Sequence, residues 1–142
     1  MTSIDVRQPA TGDRAGRRWL MLLPVAAVVA VGLNYLVARG ATALGADESF
    51  RPLTPAVFVP FTLIGIAAGF AGWRAVVRRV ARPHAVLRVL VPVVLVLSMI
   101  PDLLLLATGF IPHTSGIAVA GLMLMHVVVT AVAVPAYALS RG

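Results

Sequence analysis

Four long apolar runs constrain this chain more than any other feature of it. Residues 19–38, 55–73 and 117–139 contain no Asp, Glu, Lys or Arg, and residues 89–110 contain a single one, Asp102. About twenty apolar residues is the length a helix needs to cross a hydrocarbon core roughly 30 Å thick. In that medium each backbone N–H and C=O must be satisfied within the segment, and a helix does this. The pattern therefore predicts an all-α membrane protein, a four-transmembrane-helix bundle with spans at about those four ranges.

The arginines orient it. Arg7, Arg14, Arg17 and Arg18 precede the first run, Arg74, Arg78, Arg79, Arg82 and Arg88 separate the second from the third, and Arg141 follows the fourth. Only Arg39 and Arg51 lie in the connection between the first two runs. Basic residues are held on the cytoplasmic side during insertion, so the alternation predicts N-in/C-in topology in the cell (cytoplasmic) membrane, multi-pass. Residues 1–18, with Pro9, Gly12 and Gly16, read as a flexible cytoplasmic tail. Residues 19–139 form the transmembrane domain, and residues 140–142 are a cytoplasmic end. Arg17-Arg18 ahead of an apolar run, with Ala41-Thr42-Ala43 after it, has the outline of a signal peptide. The run exceeds the roughly 7–15 residues of a signal core, so it is read as a span.

Composition narrows the function classes. The chain is 60% hydrophobic and 12% charged, against about 25% charged for a soluble domain. Its net charge of +7 is spread along the predicted cytoplasmic edges rather than on a soluble basic module. That argues for the lipid bilayer and its anionic headgroups as partners, and against nucleic acid. There is no cysteine, which excludes disulfides, thiolate metal sites and dithiol redox chemistry. No cofactor is expected. Metal coordination needs several ligands in compatible geometry, and one in-span His with one Asp falls short of that.

Three polar side chains stand out inside the runs. Asp102 is the only in-span acid, and charges at that depth usually face the bundle or a wet cavity. Counting along the helices brings Asp102, His126 and Asn34 to similar depth in the outer half of the membrane. They form a candidate cluster in which an Asp–His pair holds a shared proton. The bland alternatives are a carboxylate capping the helix that resumes after Pro101, and a histidine bonding a neighbouring hydroxyl or carbonyl. Gly65, Gly69 and Gly72 line one side of span two, a groove for a close-packed helix of the same chain or of a second copy in a homodimer. Arg74, Arg78 and Arg82 recur at helical spacing with Arg79 adjacent. They predict that span two continues as a basic helix to Pro83, in contact with anionic headgroups.

The stretch Leu124-Met125-His126-Val127-Val128 before Pro135, and Leu97-Ser98-Met99-Ile100-Pro101 before the outer turn, resemble an actinobacterial family of small four-helix integral membrane proteins, a domain of unknown function. The resemblance covers roughly residues 19–139 and implies a four-span bundle without a transferable catalytic residue. The functional expectation is a non-catalytic accessory or regulatory membrane component rather than an enzyme. The alternative is a small proton- or solute-translocating protein using Asp102 and His126.

Overall fold

The computed structural model describes residues 19–140; the expectations for the tail and for Arg141 lie outside them. The elements in order are α1 (Trp19–Ala43), a 3-10 turn (Arg51–Leu53), α2 (Pro55–Arg79), α3 (Pro83–Ser98), α4 (Ile100–Thr108) and α5 (Gly116–Leu139). α3 and α4 run on as one rod, Pro83–Thr108, and the resulting four rods are each long and apolar enough to cross a membrane. Among the described residues there is no strand.

Local chemistry explains where the helices start and stop. Proline stands in the first turn of α2, α3 and α4, where its fixed φ suits a helix and its missing N–H is not needed. Ser115 caps α5 by accepting from the Ala118 N–H at 3.2 Å. Gly109, at φ +60°, closes α4 in the left-handed conformation that glycine adopts without steric cost.

The helices outrun the apolar runs. α1 continues past Arg39 to Ala43, and α3 takes in His84 and Arg88, because helix propagation depends on backbone bonding and arginine is a good helix former. One expectation is corrected. The basic extension of span two ends at Arg79 rather than at Pro83, with Val80 extended and Arg82 outside the helix at φ −124°, ψ 67°. Pro83 disfavours the α conformation of the residue before it, so Arg82 cannot complete the row begun by Arg74 and Arg78.

The seam of the bundle lies between α1 and α5. α1 turns Ala26, Ala30, Asn34, Ala38 and Ala41 inward, a stripe repeating nearly every fourth residue. α5 answers with Ala118, Gly121, Met125, Ala133 and Ala136 among its buried positions. A methyl group on Gly121 would sit 3.1 Å from the Ala41 Cβ, so the two backbones approach about as closely as small residues allow. Two apolar clusters flank the middle. Phe50, fully buried, joins Leu53, Phe58, Ala118 and Met125 toward the end that carries the 44–54 connection. Ala30, Ile66, Ala133 and Tyr137 pack toward the other end. The third rod lies at the edge, with only Leu87 of α3 and Asp102 of α4 buried.

If the small-residue seam carries the packing, Ala30→Leu lowers stability by about 1–3 kcal/mol through overpacking. The reading is the thermal midpoint in detergent, with the 73% exposed Val28 changed to Leu as a control that stays at the wild-type value.

Candidate functional site

Between the two apolar clusters lies a polar layer. Asn34 occupies one position of the α1 alanine stripe and is 1% exposed. Its Nδ2 donates to Thr62 Oγ1 of α2 at 2.9 Å. Asp102 comes from the first turn of α4, and the helix break that precedes it sets its direction. Pro101 has no N–H, and α3 stops at Ser98, whose hydroxyl turns back to the Leu95 carbonyl at 2.7 Å. Met99 occupies the α4 N-cap position and no side chain caps it. The Asp102 carboxylate is turned instead to α5, where its Oδ2 lies 3.1 Å from His126 Nε2.

The contact is at ion-pair distance, and no hydrogen bond is assigned to the buried Asp102 Oδ2. Asn34 Oδ1 is likewise buried without one. An unsatisfied buried acceptor costs about 1–3 kcal/mol, so both atoms mark a place where the fold leaves bonding capacity open. His126 keeps 39% of its side chain exposed while that of Asp102 keeps 11%. The imidazole is thus the accessible member of the pair and the carboxylate the enclosed one.

The layer opens into a cavity of about 880 Å³ that Asn34, Thr62, Asp102 and His126 all line. Its wall is otherwise mostly apolar, and Phe61, Val94 and Leu104 of that wall are exposed. The cavity therefore opens through the side of the bundle between α2 and the third rod. A volume of this size is that of a small-molecule site. Among the described residues no group of three or more His, Cys, Asp or Glu gathers in the manner of a metal centre. A buried carboxylate against an imidazole can hold one proton between them.

The other sequence candidates fall elsewhere. Gly69 faces Tyr137 of α5, and a methyl group there would meet the phenol oxygen at 2.8 Å. That phenol donates to the Ile66 carbonyl at 2.6 Å, so an aromatic ring of the same chain fills the middle of the glycine groove. Gly65 lines the cavity, and nothing lies within 4 Å of where its methyl, or that of Gly72, would stand. Arg78, Arg79 and Arg82 are exposed at the far end of the bundle. Arg74 stacks over the Phe70 ring at 5.5 Å, within an aromatic group that also contains Trp19, Trp73 and Tyr137.

A second Asp–His pair closes the opposite end. His113 Nδ1 lies 2.9 Å from Asp47 Oδ2 and joins the connection after α1 to the turn before α5. The Ser49 backbone N–H, donating to Asp47 Oδ1 at 2.7 Å, holds the Asp47 carboxyl below its ordinary range, and His113 adds to the effect. No residue spacing along the chain announces this pair, since its partners lie in two separate connections. Thr62 also escapes a reading of the sequence, because a lone threonine in an apolar helix looks like any other tolerated hydroxyl. The alanine stripe of α1 did leave a visible signal, a small residue or Asn34 at every fourth position from 26 to 38.

Residues 13–142 match the family of unknown function DUF6069, and the chain belongs to that family. No curated protein and no solved structure matches it.

Two outcomes follow from this geometry. Gly69→Ala and Tyr137→Phe each destabilise by about 1 kcal/mol. Because both disturb the same phenol, the double variant costs less than the sum in thermal melting. At the other end, Asp47 has a lowered folded pKa, so its contribution is present above the ordinary carboxylate range. That contribution is lost as pH falls through the lowered value. Asp47→Asn should remove a small acid-limb loss of melting temperature, and an unchanged limb would count against the pairing.

Proposed function

We propose that this member of DUF6069 is a multi-pass protein of the cell membrane that moves a small solute through the Asp102–His126 cavity, coupled to the proton that the pair holds. The carrying observation is the buried carboxylate set 3.1 Å from an imidazole on the wall of a side-opening cavity. Burying a charge is costly unless it is used or paired.

The arginine distribution supports insertion with both ends on the cytoplasmic side. In that orientation Arg74, Arg78, Arg79 and Arg82 meet anionic headgroups, each near-surface charge adding about 1 kcal/mol. The aromatic group around Phe70 and Tyr137 lies in the same third of the bundle, at the level where amphipathic rings favour the interface. The reading is of a binding and translocating protein rather than an enzyme. It departs from a purely accessory role in making the pair indispensable. For the glycine groove, Tyr137 supports an occupant from the same chain over a second copy.

The measurement is collapse of a pH gradient across vesicles containing the purified protein, with small amphipathic solutes of each charge added outside. Wild type should accelerate the collapse with at least one solute class, and Asp102→Asn and His126→Gln should return it to the rate of protein-free vesicles. Wild-type vesicles at the protein-free rate with every solute, or full activity in both variants, would overturn the proposal.

A further inference from the structure

We infer that the cavity is a site for a small lipophilic primary amine in its ammonium form, taken up in exchange for the proton that Asp102 and His126 share. The inference rests on the cavity being a solute site, as proposed above, and specifies what enters it.

Charge points to a cation. Asp102 and His126 are the titratable side chains of the cavity wall. Around them α1 presents Asn34, α2 presents Thr62, α3 presents Ser98 and α5 adds Thr130, all uncharged. With His126 neutral the wall carries one negative charge and no positive one. An anion would enter against that charge, whereas a cation would be paired by it.

Hydrogen bonding narrows the cation to one with N–H groups. The Asp102 carboxylate lines the cavity and keeps 11% of its side chain exposed, and a carboxylate only accepts. An ammonium brings three donors to that carboxylate; a quaternary ammonium brings none.

The remaining wall sets the body of the ligand. Phe58, Phe61, Leu95, Leu105 and Met125 are among its apolar residues, and about 880 Å³ lies in the range of drug-sized ligands. Access argues the same way. The Tyr137 cluster closes the bundle on one side of the polar layer, while the exposed Phe61, Val94 and Leu104, with Phe110 toward the other end of the cavity, leave it open. A ligand arriving through that opening must itself be amphipathic.

The exchange balances. Before binding, a carboxylate faces an imidazolium and the site is neutral. The arriving ammonium takes over the carboxylate, the imidazolium gives its proton to water, and the site is neutral again. One positive charge enters and one proton leaves, with no net charge stranded in an apolar surround, where it would be expensive.

The test is isothermal titration calorimetry on the full-length protein in detergent, in two buffers of different protonation enthalpy. The probes are 2-phenylethylammonium, its N,N,N-trimethyl analogue, 2-phenylethanol and phenylacetate. The primary ammonium should bind tightest and release about one proton per site. Asp102→Asn should weaken it at least about tenfold, and His126→Gln should keep binding but lose proton release. Equal or tighter binding of the alcohol, the carboxylate or the trimethyl analogue would overturn the inference without needing any variant. So would ammonium binding in wild type that releases no proton at any pH. Tight alcohol binding leaves solute translocation standing, whereas ammonium binding with vesicle flux at the protein-free rate would defeat translocation and leave the site.

Discussion

The close approach of α1 and α5 is the contact on which the rest of the molecule depends. Ala30, Ala38 and Ala41 on one side meet Ala118, Gly121 and Ala133 on the other. Side chains this small gain stability through backbone proximity and dispersion rather than through large buried area. That proximity also sets distances for everything carried on the two helices. Asn34 belongs to the same stripe, and His126 directly follows Met125 of the buried face. A larger residue anywhere on the seam would move the polar layer as well as loosen the bundle.

Beside this close-packed pair the third rod is the least buried part of the bundle. It is interrupted at Met99, between α3 and α4, and holds little of its surface within the bundle. The proline that interrupts it also places an acidic residue in the first turn of the resumed helix, where negative charge is favoured by the helix dipole. The break thus does two things with one residue type. It aims Asp102 at α5, and it leaves the side of the bundle between α2 and the rod open enough for a cavity.

The polar layer and its apolar flanks belong together. Phe50 and Leu53 fold in from the connection after α1, and Tyr137 reaches across to Ile66 from the other side. Water along the bundle axis would dilute the electrostatic coupling between Asp102 and His126. Asp102 is enclosed while His126 stays accessible from the cavity, so charge pairing and proton occupancy of the two are linked and the proton still has a path to water.

Much of the architecture was legible in the chain. Four apolar runs and the arginines between them predict four helices, and hydrophobicity with helical length suffices because each rod satisfies its own backbone. The end of the basic extension was misplaced, since Pro83 acts on the residue before it. Asp102, His126 and Asn34 could be named from their rarity in apolar runs, and helix rise alone brought them to similar depth. Rotation about the helix axes was not legible. Whether Asp102 faces His126 or lipid is decided by the break at Met99, and whether Asn34 faces inward by the α1 seam. The Asp47–His113 pair and the filling of Gly69 by Tyr137 join segments distant in sequence, and no local pattern encodes them. The sequence by itself determined which segments form helices long and apolar enough to cross a membrane, and how far along each its polar residues lie, because those follow from composition along one dimension. Only the tertiary structure decided which faces meet, because that depends on packing between helices.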